Sequence, residues 1–106
     1  MTNMLQTTLA TPTTLAQLLD RAAITQVTQE WGLARDAGRW DRLRACYTSD
    51  AVMHTTWFVG PASEFVERSM AAARAGARVQ HFIGATTMDL RDDKAVVERS
   101  EERRVG

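Results

Sequence analysis

The sequence predicts an α+β domain, and three observations support that prediction. Apolar residues recur at three- and four-residue steps through residues 15–37, as in an amphipathic helix. Residues 51–60 and 78–90 are rich in Val, Thr and aromatic side chains and alternate as strands do. The elements follow the order helix, helix, strand, helix, strand, strand, which differs from the regular alternation that builds a parallel α/β sheet.

The composition restricts the class of protein. The chain has 106 residues, enough for one domain with one core. Thirteen basic and thirteen acidic residues give a formal net charge of zero, so we expect neither a nucleic-acid partner nor a membrane partner. The single cysteine, Cys46, has no partner for an internal disulfide, which favours a cytoplasmic location. Residues 1–13 lack the basic and apolar regions of a secretion signal and are expected to form a flexible N-terminus.

The first predicted helix has recognisable ends. Thr14 followed by Gln17 fits a capping box, in which each side chain bonds the backbone N–H of the other residue. Gly38 fits the left-handed residue that commonly follows a helix. Gly32 lies inside the helix and weakens it by about 1 kcal/mol relative to Ala. We therefore expect another element to pack against Gly32.

A short second helix and a strand follow. Trp40 and Tyr47 are spaced as on one face of a helix. Residues 51–60 close on Gly-Pro and are predicted to form a single strand. Its alternation places His54 on one face and Thr55 on the other.

A third helix is predicted after this strand. It opens with Pro61 as its first helical residue or with Ser63 as its cap, and it stops at Gly76. Its apolar side is expected to hold Phe65, Val66, Met70 and Ala73.

Residues 78–90 form the strongest strand candidate and carry His81, one of two histidines. Residues 91–94 are predicted to turn the chain, and the return strand begins over residues 94–98. Alternation places on the same face as His81 the side chains of Ile83, Ala85 and Thr87.

Residues 99–106, RSEERRVG, break the alternating pattern because they are almost wholly charged. One interpretation is a polar strand end or a solvated tail. The other comes from back-translation: AGATCGGAAGAGCGTCGTGTAGGG encodes this segment and resembles a common sequencing-library adapter. We expect the natural sequence to end near Glu98 and the remainder to be a read-through artefact.

Three segments together resemble one protein family. They are EW-x4-D-x3-WDRLR at residues 30–44, SEFVERSM at 63–70 and QHFIGAT at 80–86. In this order they resemble the scytalone dehydratase branch of the SnoaL-like, NTF2-like superfamily, over roughly residues 24–98. The resemblance implies a cone-shaped α+β fold, in which helices close the concave side of a curved antiparallel sheet around one apolar pocket. It also implies further strands, so that residues 14–98 are a partial domain, and a homo-oligomeric full-length protein.

The resemblance implies a site as well. Asp36 matches the family aspartate, and His81 matches the histidine that removes a proton from a β-hydroxy ketone so that water leaves. The family has tyrosines at the position of Arg35 and near that of Thr55 or His54, where they hold a water that polarises the substrate carbonyl. Substrate and reaction therefore stay open. We expect the substrate pocket to be lined by Arg35, His54, Thr55, Ile83 and Ala85.

The residues taken on their own terms leave alternatives. Histidine transfers protons near neutral pH, and a carboxylate on one ring nitrogen fixes its tautomer. However, Asp36 and His81 are far apart in the sequence, and an isolated histidine is more often an ordinary sheet residue. Arg35 binds an anionic substrate group or is a solvated helix-end arginine. Two histidines without close spacing and the lack of a glycine-rich phosphate-binding motif indicate no metal and no cofactor.

The leading expectation for function is a dehydratase-like lyase that acts on a small substrate without a cofactor. One alternative is a non-catalytic module for small-molecule binding or dimerisation. Another is an isomerase or a polyketide cyclase that uses the same pocket. A sheet that stops near Glu98 leaves an unpaired edge and an exposed apolar face, so the 106-residue chain is expected to be marginally stable and to associate.

Overall fold

Helices and antiparallel hairpins make up the structure, a computed structural model that describes residues 14–106. The predicted α+β class is confirmed, and the predicted N-terminal flexible segment, residues 1–13, lies outside the described residues. The strands form two separate two-stranded sheets, β1 with β2 and β3 with β4, so the cone implied by the resemblance stays a prediction. The elements are α1 (Leu15–Ala37), α2 (Trp40–Ala45), β1 (Val52–His54), β2 (Val59–Pro61), α3 (Ala62–Arg74), β3 (Val79–Arg91) and β4 (Lys94–Val105).

Helix α1 begins and ends as its sequence predicts. The Thr14 hydroxyl accepts a hydrogen bond from the Gln17 backbone N–H at 3.1 Å, and the Gln17 side chain accepts one from the Thr14 backbone N–H at 2.9 Å. Gly38 adopts a left-handed φ of 70° and donates its N–H to the last carbonyls of the helix. These caps fix the last turn of α1, which carries Arg35 and Asp36. No helix in residues 14–106 combines the length and the apolar character needed to span a membrane.

The core lies where the second half of α1 meets α2, α3 and the β1–β2 hairpin. Phe65, Leu43 and Val66 are fully buried there. Trp31 and Phe58 complete the centre of this cluster. The apolar residues at the start of α1 remain exposed, so only the later turns of the predicted apolar face are buried; the exposed residues are Leu15, Leu18 and Leu19.

The prediction of one strand over residues 51–60 is wrong. The chain turns back at Thr55, and Met53 of β1 pairs with Gly60 of β2. The Thr55 hydroxyl accepts the backbone N–H of Phe58 at 3.0 Å, while the Thr55 N–H donates to the Phe58 carbonyl at 2.7 Å. A threonine side chain that bonds the local backbone in this way offers an alternative to a continuous ladder. The turn directs Phe58 into the core.

The third helix starts at Ala62, one residue after the start predicted with Pro61 as the first helical residue. Pro61 is the N-cap and also the last residue of β2, whereas Ser63 is already helical and makes no capping bond. The helix ends at Arg74, and Gly76 follows it with a φ of 101°. Glycine adopts this positive φ without steric strain, so its place after the helix agrees with the predicted stop.

Strands β3 and β4 form a hairpin that contains a β-bulge. Ile83 pairs with Glu101 and Thr86 pairs with Arg99, so Gly84 and Ala85 together oppose a single residue. The extra residue reverses the alternation. His81 and Ile83 point inward before the bulge, but after it Ala85 is exposed, and so is Thr87. The predicted inward face is therefore wrong beyond Ile83.

The turn of this hairpin agrees with the prediction, because Arg91 pairs directly with Lys94. The return strand is longer than predicted and continues past Glu98 to Val105. Residues 99–105 thus pair with the part of β3 that holds His81. Their origin stays a prediction.

Strand β3 packs along α1, and Gly32 allows the close approach. A Cβ atom at Gly32 would lie 3.1 Å from Ile83 Cγ1 and 3.7 Å from the His81 Cβ. The expectation that another element packs against Gly32 is confirmed, and this contact sets the position of His81 relative to the end of α1.

Replacing Gly32 with valine should therefore destabilise the fold. The added methyl groups would meet Ile83 and His81, and overpacking of this kind costs about 1–3 kcal/mol. Chemical denaturation measures the change in the free energy of unfolding. Leu33→Val is the matched control, since Leu33 is exposed and the change there alters helix propensity by roughly 0.5 kcal/mol or less. Equal stability of the two variants would contradict the proposed close packing.

The molecule is elongated, which leaves apolar side chains of the β3–β4 hairpin uncovered. Its radius of gyration is 16.6 Å, whereas a compact chain of this length has a value of about 13 Å. Exposed apolar residues of the hairpin include Phe82, Val96 and Val105.

We predict that the 106-residue chain associates through this hairpin. Sedimentation velocity should show a mass that rises with protein concentration, because an uncovered apolar hairpin face favours self-association. Val96→Thr should reduce the association, while Val59→Thr, at an exposed valine outside the hairpin, should leave it unchanged. A monomer with a sharply cooperative unfolding transition would contradict the prediction.

Candidate functional site

Asp36 and His81, which the sequence could not place together, are in direct contact. The Asp36 Oδ1 atom lies 2.6 Å from the His81 Nδ1, and Oδ2 accepts the His81 backbone N–H at 2.6 Å. One carboxylate therefore holds both the backbone and the ring of the histidine. The His81 side chain is 1% exposed and the Asp36 side chain is 16% exposed, so the pair is shielded from solvent.

The neighbours of the ring determine its tautomer. A carboxylate only accepts hydrogen bonds, so the proton belongs on Nδ1, which faces Asp36. A guanidinium only donates, and Arg35 Nη1 lies 3.4 Å from the His81 Nε2. The lone pair of the neutral imidazole is thus on Nε2. Trp31 packs edge-on against the ring, with 5.1 Å between the ring centroids.

His81 is one of the residues that line a cavity of about 590 Å³ between α1, the β1–β2 hairpin and β4. This volume lies in the range of small-molecule sites. Three predicted pocket residues line it together with His81, and they are Arg35, His54 and Thr55. Two others do not: Ile83 packs against Gly32, and Ala85 is exposed at the bulge.

Asp36 is not a wall of that cavity. It borders a second cavity of about 610 Å³, which lies between the end of α1 and α3. Arg35 borders both cavities. The two members of the pair therefore border different cavities, His81 the first and Asp36 the second.

Arg35 is a half-buried cation among aromatic rings. Its guanidinium carbon lies 4.9 Å from the ring centroid of Phe65 and 5.8 Å from that of Trp31. Burial lowers the pKa of Arg35, and the positive charge of Arg103 lowers it further. Guanidinium groups nevertheless stay charged in proteins.

Tyr47 is a site residue that sequence reasoning missed. It was assigned only to the apolar face of the second helix, yet it lines the same cavity as His81. The Tyr47 hydroxyl accepts a hydrogen bond from the indole N–H of Trp31, which leaves its own O–H free to donate. Burial raises the pKa of Tyr47, so the hydroxyl keeps its proton at neutral pH. The sequence offered one signal for this role, namely that Tyr47 is the one tyrosine of the chain.

The β4 segment contributes further residues that the predictions did not include. Arg99, Glu101 and Arg103 line the cavity. Arg99 pairs with Glu101 at 3.0 Å and stacks over Trp31 at 4.7 Å from the ring centroid. These residues were overlooked because the sequence predicts that residues 99–106 are foreign.

Cys46 also borders the cavity but lacks the features of a nucleophile. Burial raises the pKa of its thiol, with a smaller contribution from Glu30, so the reactive thiolate is disfavoured. Its Sγ lies 3.4 Å from the Arg42 carbonyl, as expected for a thiol donor. Within residues 14–106 no group of three His, Cys, Asp or Glu side chains is arranged to hold a metal ion.

Comparison with known proteins decides the family, since residues 16–101 match the SnoaL-like domain. The chain belongs to the SnoaL-like domain family. This family includes polyketide cyclases and isomerases. The match confirms the SnoaL-like part of the resemblance and agrees with the observed α+β class.

Two fungal proteins are similar to this SnoaL-like chain. Uncharacterized protein AN9274 of Emericella nidulans is 32% identical over 78 residues, which are 72% of this chain and 32% of that protein. An uncharacterized protein of Aspergillus terreus is 31% identical over 73 residues, 68% of this chain and 27% of that protein. The chain thus spans about a third or less of the length of these curated relatives.

The burial of Tyr47 leads to a prediction about alkaline pH. Its raised pKa means that the unfolded chain loses the phenolic proton first. The associated stability is therefore fully present below the ordinary tyrosine pKa of about 10 and is lost as pH rises through the higher folded-state pKa. Absorbance near 295 nm reports this ionisation, and as the chain has one tyrosine the signal belongs to Tyr47 alone. A titration midpoint of Tyr47 at or below about pH 10 in the folded protein would contradict the burial effect. The Tyr47→Phe variant provides the background absorbance.

Proposed function

We propose that this SnoaL-like domain catalyses acid–base chemistry without a cofactor, in the manner of a scytalone dehydratase-like lyase. The proposed substrate is a small β-hydroxy ketone. The proposal is carried by one observation, the contact between Asp36 and His81 at the wall of the cavity. A buried carboxylate on Nδ1 both orients the imidazole and stabilises the imidazolium that forms when Nε2 takes a proton.

The proposed reaction balances with these two groups and the substrate. His81 Nε2 accepts the proton from the carbon next to the carbonyl, and the electrons of that C–H bond form the new C=C bond. The β-carbon–oxygen bond breaks, and the imidazolium returns its proton to the leaving oxygen as water. The products are an α,β-unsaturated ketone and water, and the base is regenerated.

Tyr47 is the proposed donor to the substrate carbonyl. The two positions where the family resemblance implies tyrosines hold Arg35 and either Thr55 or His54, so another group must stabilise the negative charge that develops on the carbonyl oxygen. The protonated Tyr47 hydroxyl borders the cavity and has its own O–H free. Proton abstraction next to a carbonyl is also the first step of an isomerase, so the same three groups would serve that reaction.

A binding module is the second candidate, and one observation favours it. The His81 ring is almost fully buried, and its Nε2 atom faces the guanidinium of Arg35. A histidine covered in this way fits a structural role as well. In this alternative the cavity holds a small molecule without transforming it.

Replacing the pair tests the catalytic proposal. His81→Ala should lower the turnover of β-hydroxy ketones by about 10²–10⁴-fold, the usual contribution of a general base. Asp36→Asn should also lower it, because an amide has one acceptor oxygen and loses one of the two bonds to His81. The ultraviolet absorbance of the conjugated ketone product measures turnover.

Asp89→Asn is the matched control, since Asp89 is an acidic residue on β3 that pairs with the exposed Arg91. It should retain full activity, and circular dichroism should show that all variants are folded. If the unmodified protein binds β-hydroxy ketones but turns over none of a panel of small ones, the catalytic proposal is refuted in favour of the binding module.

A further inference from the structure

Arg35 is a half-buried arginine of the cavity wall that makes no ion pair, whereas Arg103, which lines the same cavity and also makes none, is exposed. Arg99 pairs with Glu101, Arg42 with Glu30, Arg44 with Glu67 and Arg68 with Glu64. Arg35 takes part in none of the ion pairs found among residues 14–106. The carboxylate next to it in the chain, Asp36, is already bound to both donors of His81.

The surroundings of Arg35 compensate its charge only in part. The rings of Phe65 and Trp31 attract the guanidinium through their faces. Arg35 Nη1 also has a polar contact with His81 Nε2 at 3.4 Å, and this contact supplies no negative charge. The carboxylates of Asp36 and Glu101 attract Arg35 but neither pairs with it, so a directly bound anion would stabilise this half-buried cation further. Since Arg35 borders the cavity that His81 lines, a ligand in that cavity can supply this anion.

We propose that the ligand of this cavity carries a carboxylate that pairs with Arg35. This inference rests on the proposed function for the identity of the site and names the substrate class, a hydroxy-keto acid in place of a neutral hydroxy ketone. The ketone activates the neighbouring C–H bond, and the carboxylate anchors the molecule. Arginine suits this role because its planar fork matches the two oxygens of a carboxylate.

The pairing has a consequence for the base. The Arg35 Nη1 atom lies 3.4 Å from His81 Nε2. A carboxylate that takes the Arg35 donors draws the guanidinium away and leaves Nε2 free to accept a proton. A neutral ligand does not draw the guanidinium away from Nε2. Arg35 therefore discriminates between charged and uncharged molecules of the same shape.

Two isosteric probes test the proposal directly: 4-oxopentanoate and its neutral amide, 4-oxopentanamide. Trp31 and Trp57 line the cavity, so tryptophan fluorescence reports occupancy. We expect the acid to bind about 10–100-fold more tightly than the amide, as a charge-assisted pair provides. Arg35→Gln should abolish the difference, and Arg35→Lys, which keeps the charge but loses the fork, should retain part of it. Arg91→Gln, at an exposed arginine of the β3–β4 turn, removes the same charge elsewhere and should retain all of it.

The outcomes separate this inference from the proposed function. Equal binding of acid and amide, no binding of either, or an unchanged preference in the Arg35→Gln variant would overturn it. Inorganic phosphate that binds through Arg35 as tightly as the acid would overturn the assignment to carboxylates. The catalytic proposal fails if the unmodified protein shows no turnover. The present inference still holds in that case if the unmodified protein and the His81→Ala variant both prefer the acid and if this preference depends on Arg35.

Discussion

The link between the Asp36 carboxylate and His81 is the interaction on which the structure depends. It joins the last turn of α1 to the start of β3 through two short hydrogen bonds, one to the backbone and one to the ring. A carboxylate shielded from water is costly unless its oxygens are bonded, and here both are. The strand approaches the helix closely at Gly32, where a Cβ atom would lie 3.1 Å from Ile83 Cγ1. The contacts that pack β3 on α1 are therefore the same contacts that set the geometry of the site.

The helix also explains why the two ring nitrogens meet opposite charges. Consecutive helical residues are separated by about 100° around the axis, since a turn holds 3.6 residues. Asp36 thus reaches one side of the imidazole at Nδ1 while Arg35 reaches the other at Nε2. The left-handed Gly38 ends the helix directly afterwards and keeps this pair of neighbours in register with the ring. Two adjacent positions in the sequence therefore define which nitrogen holds the proton and which faces the guanidinium.

Features with a local cause could be predicted from the sequence, and features that depend on pairing could not. The ends of α1, the close contact at Gly32 and the turn after Arg91 each follow from one or two residues and were predicted. The bulge at Gly84 depends on how β4 lies beside β3, and the alternation within one strand does not reveal it. Asp36 and His81 came from a family resemblance, whereas Tyr47 reaches the cavity only through the packing of α2 against α1. Local periodicity carries no information about that contact.

Asp36 and Arg35 differ in side-chain length, and this difference explains why Asp36 holds the His81 ring rigidly whereas Arg35 is less constrained. Aspartate has two side-chain dihedrals, and both of its oxygens are bonded, so Asp36 cannot move without releasing β3. Arginine has a long flexible stem, and Arg35 is held by ring faces and one 3.4 Å contact and by no ion pair in the described chain. In the proposed mechanism, a change of rotamer at Arg35 uncovers Nε2, while the two bonds of Asp36 keep the helix, the strand and the tautomer in place. In that mechanism, Asp36 orients the histidine and Arg35 controls access to its Nε2 atom.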